Sequence, residues 1–171
     1  TRDAAVDHLP SAVSVTHRSR KDADRARPFN QRYLAYDVFG ERQKLPLLHI
    51  RLIGRKERFR TVALVDTGAT VTFIPHELAE VVGLEFLQKE EEAQGAGGVF
   101  ANDVAKFKLE ILKGIDVVYR IEGEALIPRE IGRVPYVVLG RDYIFDAYDI
   151  TFREQQQRMI LRPARARASQ D

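Results

Sequence analysis

Apolar and polar residues alternate with a period of two in several short segments of the chain. The segments 48–52, 107–111 and 119–122 each carry Leu, Ile, Phe or Tyr at every second position, with charged residues or His between them. Because successive side chains of a strand point to opposite faces, each segment predicts a β-strand with one buried face. The run 62–65 is apolar at every position and predicts a central strand.

Two further segments carry the end signals of short helices. Pro75 and Glu77 stand at the start of the segment 75–83 and Gly83 at its end, as is typical of helix termini. The segment 141–147 is apolar on one side and follows a glycine. Many short strands with one or two short helices predict a mostly β fold, in the form of a closed or folded-over β-domain.

The chain divides into three parts by composition. Residues 1–30 predict a flexible basic arm, in which Arg and Lys alternate with Asp and large apolar residues are few. The patterned region predicts one folded domain over 31–162, and 163–171 predicts a flexible tail. A nucleic-acid arm is the alternative for 1–30, but a formal net charge of +2 gives no general attraction to nucleic acid, and we expect none as a partner.

The composition excludes several kinds of site. The chain has no cysteine, which excludes disulfides, thiolate catalysis and cysteine zinc sites. Its four histidines do not cluster with acids at ligand spacing, so we expect no metal site and no cofactor. No apolar run approaches the roughly 18 residues of a membrane-spanning helix. We therefore expect no membrane span within this chain, while an anchor upstream of Thr1 stays open.

The motif Asp66-Thr67-Gly68 carries the clearest candidate chemistry. A carboxylate directly after a buried strand is costly unless it is hydrogen-bonded or partnered, and Gly68 permits a tight turn and a close approach of a second backbone. This combination suits an acid on the floor of a cleft. The alternative is an ordinary strand and turn in which Asp66 caps its own turn, and the tripeptide alone does not decide between them.

Two later segments give the motif its context. The glycine-rich stretch 95–99 lies before an alternating strand and predicts either a mobile hairpin tip that closes over a ligand or a β-turn with no further role. The segment Val138-Leu139-Gly140-Arg141 is an apolar strand that ends in Gly and enters a short helix. Taken alone it is a common joint between a strand and a helix.

In this order the three segments resemble the retropepsin family, the retroviral-type aspartic proteases. The resemblance covers roughly residues 47–161 and includes the short helix at 141–147 and closing strands near 150–152 and 159–161. It implies a retropepsin-like closed β-domain that forms a two-fold homodimer. It also implies that an extended peptide or protein binds in the cleft.

The resemblance further implies roles for single residues. Asp66 would be the catalytic acid, and Thr67 would hydrogen-bond across the dimer axis. Gly68, the third residue of the catalytic motif, would line the floor with Ala69 and offer main-chain groups to the peptide. The segment from Val138 through Leu139, Gly140 and Arg141 would cross behind that loop and support it. The substrate-binding residues would be Ala69, Thr70, Gly95, Ala96, Gly97, Gly98 and Val99, of which the last five form the flap.

One position departs from the retroviral pattern. Retroviral members often carry an acid two residues after the motif's Gly, where it pairs with the Arg of the supporting segment. Here that position is Thr70, so Arg141 needs another partner. This departure favours a non-viral member of the family, bacterial or cellular.

The resemblance implies an aspartic endopeptidase in which a water is activated between two Asp66 carboxylates. Because the chain carries a single Asp-Thr-Gly, the second carboxylate would come from the other subunit of a homodimer. One alternative keeps the fold without the activity, as a peptide-binding or assembly module. A second alternative is a phosphate loop of the actin-like ATPases, built on Asp66, Gly68 and Thr70, but those proteins need larger domains and further motifs.

Overall fold

The computed structural model describes residues 28–95 and 98–164. Strand structure begins at Phe29 and ends at Pro163, so the described β-structure extends slightly beyond the predicted domain limits of 31 and 162 at both ends. The predicted arm and tail lie almost wholly outside the described residues and stay predictions.

The described chain forms eleven strands, two α-helices and one 3₁₀ turn. In chain order they are β1 (Phe29–Arg32), β2 (Leu34–Val38), β3 (Glu41–Leu45), β4 (Leu47–Ile53), β5 (Arg58–Val65), α1 (His76–Val82), β6 (Glu85–Gly95), β7 (Gly98–Lys113), β8 (Asp116–Pro128), β9 (Val137–Leu139), α2 (Ile144–Ala147), β10 (Tyr148–Arg153), the 3₁₀ turn (Glu154–Gln156) and β11 (Arg158–Pro163). The prediction of a mostly β fold with one or two short helices is confirmed.

The largest sheet contains six strands and carries the candidate motif. Its order is β6-β7-β4-β5-β9, and β8 pairs with β7. Pairing is antiparallel throughout except between β5 and β9, which run parallel. β5 lies between β4 and β9, which confirms the central strand predicted from the run 62–65.

The alternating residues of this sheet form one side of the hydrophobic core. Leu48, Ile50 and Leu52 of β4 have no exposed surface, and every second residue of the neighbouring strands joins them in one cluster. This burial confirms the strands predicted from the period of two. Each fully buried side chain of this size contributes roughly 1.5–3 kcal/mol relative to an exposed one.

Two smaller sheets complete the fold. β1, β11 and β10 form a three-stranded sheet, and β2 and β3 form a separate two-stranded hairpin. The first sheet is tied to the 3₁₀ turn by the hydroxyl of Tyr33, which donates to Glu154 at 3.0 Å. The closing strands predicted near 150–152 and 159–161 lie within β10 and β11.

The two helices are short, as the end signals predicted. α1 ends at Gly83, whose φ of 73° is left-handed and is the usual C-terminal conformation of a helix. α2 is shorter than predicted, because residues 141–143 form a turn and only Ile144–Ala147 are helical. Within the described residues, no helix has the length and apolar character needed to cross a membrane.

Candidate active site

Asp66 lies directly after the inner strand β5. Its backbone N–H donates to the carbonyl oxygen of Leu139 in β9 at 3.1 Å, which fixes the start of the loop against the neighbouring strand. The backbone N–H of Gly68 donates to Oδ1 of Asp66 at 2.8 Å. The turn capped by its own acid is thus present, and it orients the half-buried carboxylate.

The segment after β9 passes directly behind this loop. The backbone N–H of Arg141 donates to the carbonyl oxygen of Ala69 at 3.0 Å. A Cβ atom on Gly140 would lie 2.3 Å from the carbonyl oxygen of Val71, a distance that no side chain tolerates. Glycine is therefore required at 140 because two backbones meet there.

The register of β5 and β9 places several side chains on one face. Leu64 is level with Val138, and alternate neighbours such as Val65 and Leu139 point into the core cluster. Because side chains two residues apart share a face, Asp66 follows the direction of Leu64. The face opposite the core therefore carries the carboxylate.

The loop is held at its far end by a buried threonine and a half-buried aspartate. The backbone N–H of Thr72 donates to Oδ2 of Asp142, and its hydroxyl donates to Oδ1, each at 2.8 Å. Thr72 is fully buried. Burial raises the pKa of the Asp142 carboxyl, and the hydrogen bonds from Thr72 oppose that shift. Both carboxylate oxygens of Asp142 thus accept hydrogen bonds from the loop.

The β6–β7 hairpin extends beyond the rest of the sheet. β8 ends at Pro128, opposite Asn102, so the part of the hairpin nearer its turn pairs only with itself. Gly95 pairs with Gly98 at the end of the hairpin, and Val99 beside them is 64% exposed. Ala96 and Gly97, the predicted tip, lie outside the described residues.

The base of this hairpin is anchored by two polar residues. The side-chain amide of Asn102 donates to the carbonyl oxygens of Glu91 at 3.2 Å and Phe100 at 3.1 Å. Arg129, just past β8, donates to Asp103 of β7 and to Glu90 of β6. The two strands are therefore joined to each other and to the loop that leads to β9.

Aromatic contacts link the hairpin to the floor of the site. The ring of Phe100 lies 6.0 Å from that of Phe73, centroid to centroid, and Phe73 exchanges two backbone hydrogen bonds of 2.9 Å with Val138. The guanidinium of Arg133 lies 4.8 Å from the centre of the Phe100 ring. The hairpin is therefore in contact with the chain that follows the loop of Asp66.

Comparison with known proteins decides the family. The family model described as aspartyl protease matches residues 54–143, just over half of the 171 residues. The chain belongs to the aspartyl protease family. The resemblance to retropepsin-like aspartic proteases is thereby confirmed.

A search of solved structures adds one further match. EIAV protease complexed with the inhibitor HBY-793 is 18% identical to this chain, with a TM-score of 0.47. The match covers 66% of this chain and 93% of that one. No curated protein matches the chain.

The residues predicted for the site lie in two parts of the structure, the loop of Asp66 with its supporting segment and the end of the β6–β7 hairpin. The loop of Asp66 and the supporting segment lie together, joined by the backbone hydrogen bonds to Leu139 and Arg141. The expected partner of the Arg141 side chain is absent, since its exposed guanidinium forms no ion pair or hydrogen bond with residues 28–95 or 98–164. Thr70 is also exposed.

Sequence reasoning missed three residues near the candidate site. Thr72 and Asp142 bond to each other across 70 positions, and no local pattern pairs them. Tyr136 precedes β9, and burial raises the pKa of its phenol, with smaller contributions in the same direction from the charges of Asp66 and of the Tyr36 phenol. The available sequence signal for Tyr136 was its place as an aromatic residue just before the predicted strand.

Metal ligands do not accompany the carboxylate. Among residues 28–95 and 98–164, no three His, Asp or Glu side chains lie close enough together to hold a metal ion.

Proposed function

We propose that the protein is an aspartic endopeptidase that acts as a homodimer. The catalytic groups are two Asp66 carboxylates, one from each subunit. The observation that carries the proposal is the position of Asp66, half-buried and held by Gly68 at the end of an inner strand, on the face opposite the core. Membership of the aspartyl protease family supports the same reading.

A single chain supplies only one carboxylate to this proposed site. In the described part of the chain, the carboxylate of Asp66 bonds to Gly68 and not to a second carboxyl group. Asp142 is the acid of the supporting segment, but both of its oxygens accept hydrogen bonds from Thr72. We therefore propose that the second carboxylate comes from a second copy, which a two-fold axis through the loop would provide.

The exposed residues of the loop fit such an axis. Thr67 and Gly68 are exposed in the single chain, although they follow a buried strand. Thr67 has a hydroxyl that can donate across the axis to the partner loop. Pairing the two loops would cover these residues and bring the two carboxyl groups together.

The proposed mechanism needs only the carboxyl pair and a water. Two adjacent carboxyls share one proton, because ionising both would place like charges in contact, as in aspartic proteases generally. The ionised carboxylate takes a proton from the water, and the water oxygen attacks the carbonyl carbon of the peptide bond. The protonated group donates a hydrogen bond to the carbonyl oxygen. Collapse of the intermediate then passes a proton to the leaving amine.

Substrate would bind as an extended strand between the floor and the β6–β7 hairpin. Ala69 and Thr70 would offer main-chain groups from below, and Gly95, Gly98 and Val99 would offer them from the flap. Phe100 supports this arrangement by its contact with Phe73, because it joins the flap to the floor. Ala96 and Gly97 would complete the tip.

The alternative is a module of the same fold that binds peptides without cleaving them. The intact motif Asp66-Thr67-Gly68 favours the enzyme, because a binding module has no need of an acid at this place. No observation on the described residues favours the alternative over cleavage.

Peptide cleavage separates the two functions. The wild type, Asp66→Asn and a control, Asp116→Asn at the exposed start of β8, are incubated with a diverse peptide library and the products are read by mass spectrometry. We expect Asp66→Asn to lose at least about 100-fold in rate, as expected for removal of an acid-base group, while Asp116→Asn cleaves normally. Equal cleavage by the wild type and Asp66→Asn would remove Asp66 from the mechanism.

A further inference from the structure

One edge of the six-stranded sheet is open along the first part of β5. β5 pairs with β4 over residues 58–64, whereas its pairing with β9 on the other side covers only residues 63–65. Among residues 28–95 and 98–164, no other strand pairs with β5. The segment 58–62, which we call the β5 edge, therefore has no strand beside it on the side of β9.

The backbone of Arg60 directs its hydrogen-bonding groups to this open side. At the far end of β5, the N–H of Val65 donates toward β4, to Pro46, and the N–H of the next residue, Asp66, donates toward β9, to Leu139. Because the groups of successive residues point to opposite edges of a strand, every second residue back from Asp66 has its N–H and C=O on the β9 side. Arg60 is one of these residues and lies outside the part of β5 that pairs with β9. Its N–H and carbonyl are thus open to a further strand.

One face of the β5 edge carries positive charge. Arg58 and Arg60 share this face, since they are two residues apart, and both are exposed. The guanidinium of Arg60 donates to the carbonyl oxygen of Gly114 at 2.8 Å, and in the part of the chain that the structure describes neither arginine forms an ion pair. Arg51 lies between Arg60 and Glu110 in the sheet and binds that carboxylate itself at 2.9 Å. The two arginines of the edge are therefore available to an acidic partner.

The other face of the β5 edge opens into a mostly apolar groove. Thr61 lines this groove, of about 310 Å³, with Leu78 of α1 and with Val134 and Pro135 of the chain that leads to β9. Its volume is at the lower end of the range for ligand pockets, roughly 300–1,000 Å³. Among the described residues that line it, Glu77 is the one charged group, and its carboxylate accepts a backbone hydrogen bond at 3.0 Å. The groove therefore suits apolar side chains and disfavours a second carboxylate.

We infer that the β5 edge binds an extended segment of a partner protein in which acidic residues alternate with apolar ones. The segment adds a strand beside residues 58–62 and forms main-chain hydrogen bonds with Arg60. Because its successive side chains point to opposite faces, its acids face Arg58 and Arg60 while its apolar residues enter the groove beside Thr61. Thr61 precedes Asp66 by five residues of extended chain, roughly 16–17 Å, so this site is separate from the catalytic loop and its occupation does not depend on peptide cleavage.

Charge complementarity favours this partner over a segment of the same chain. A second copy that paired its own β5 edge here would bring arginines close to arginines, and like charges on neighbouring strands disfavour pairing. The segment 18–27 of this chain carries five basic and two acidic residues, so Arg58 and Arg60 would repel it as well. An acidic segment of a different protein instead gains an ion pair at each arginine.

Binding of a labelled peptide tests the site. The probe is a fluorescein-labelled hexapeptide in which Glu alternates with Val and Leu, titrated by fluorescence polarisation against Asp66→Asn so that binding is measured without cleavage. Adding Arg58→Glu or Arg60→Glu should weaken binding at least about tenfold, because each change places like charges together. Arg42→Glu, the same change at an exposed position of β3, is the control and should leave Kd unchanged. A second peptide of the same composition, with its glutamates in one block, should also bind at least about tenfold more weakly and needs no change in the protein.

Amide hydrogen exchange locates the bound peptide. With the alternating probe bound, we expect exchange to slow at the N–H groups of Arg60 and Val62, which lie on the open side of the strand. Slower exchange only at the β6–β7 hairpin or at the loop of Asp66 would mean that the probe occupies the proposed cleft, and would overturn the inference.

The remaining outcomes also decide the inference apart from the proposed function. No binding of the probe, or equal binding to Asp66→Asn with and without the changes at Arg58 and Arg60, would overturn it. If the probe does not bind and replacement of both arginines by Val makes the protein self-associate, their charges serve only to protect the edge from pairing. A wild type that cleaves no peptide, together with a probe that binds at the β5 edge, would refute the protease proposal and leave the inference intact.

Discussion

Gly140 and Val71 lie so close that a Cβ atom on Gly140 would be 2.3 Å from the Val71 carbonyl oxygen. The contact joins the segment after β9 to the loop that begins at Asp66. On either side of it, the Leu139 carbonyl accepts from the Asp66 N–H, and the Arg141 N–H donates to Ala69. The position of the carboxylate thus depends on two backbones in direct contact.

Replacing Gly140 with Ala should therefore destabilise the protein strongly. The new methyl group meets backbone atoms that cannot rotate away, so we expect a loss of about 3 kcal/mol in the free energy of unfolding. Urea unfolding followed by circular dichroism measures the loss. Gly40→Ala is the matched control, because Gly40 has a φ of +86° but open space around it, and strain alone should cost about 1 kcal/mol. Equal losses in the two variants would contradict the close contact.

Asp142 should give the protein a pH dependence of known sign. Its folded-state pKa is raised above the ordinary value of 3.8 mainly by burial, so the folded state holds the proton more tightly than the unfolded state. Its stabilising contribution is then fully present below 3.8 and is lost as pH rises through the folded-state value.

An Asp142→Asn variant tests that sign. Its amide does not titrate, so the unfolding free energy of the wild type minus that of the variant should decrease as pH rises from the ordinary carboxyl value towards neutrality. Chemical unfolding at a series of pH values measures the difference. A difference that grows with pH would show that the bonds from Thr72 outweigh burial. Thr72→Ser, which keeps the hydroxyl, should follow the wild-type pH profile.

Asn102 should control the mobility of the β6–β7 hairpin, the proposed flap. It is fully buried where β8 ends, and its amide bonds to the carbonyls of Glu91 and Phe100 on both strands of the hairpin. Asn102→Ala removes these bonds, and we expect a loss of about 1–2 kcal/mol in stability and faster amide exchange at Val99 and Ala101. Hydrogen exchange by NMR or mass spectrometry makes the measurement.

The contrast for this prediction is Lys106→Ala, on the same strand. Lys106 is exposed, and its ion pair with Glu85 is of the surface kind, which contributes little. We expect amide hydrogen exchange in the β6–β7 hairpin of Lys106→Ala to equal that of the wild type. Unchanged exchange in Asn102→Ala as well would mean that the flap is held by its other contacts.

Much of the sheet could be predicted from the sequence, because its strands are buried on one face. The alternation at 48–52 appears directly as buried and exposed residues of β4. α2 was predicted too long, because its first predicted residues hold the loop 69–72 instead. The backbone N–H of Arg141 and the carboxylate of Asp142 both form hydrogen bonds with that loop. An apolar pattern predicts which residues are buried in the core. It does not predict which polar groups form hydrogen bonds with a loop distant in sequence.

The β2–β3 hairpin was not predicted for a related reason. Four of the five residues of β3 are charged or polar and exposed, so this strand has no buried face to produce an alternating pattern. Its contact between Tyr36 and Tyr136 joins residues far apart in the chain. The loop of Asp66, by contrast, was recognisable because a strand, an acid and a glycine are adjacent in sequence.

Mixing the wild type with Asp66→Asn tests the shared carboxyl pair most directly. Subunits are allowed to exchange at equal concentrations, with the total protein well above the dimer dissociation constant, and peptide cleavage is then measured. If each site needs Asp66 from both chains, mixed dimers are inactive and the activity of the wild type falls to about one half of its value before mixing. Activity that stays unchanged when exchange is complete would show that one chain carries a whole site, and would contradict the account.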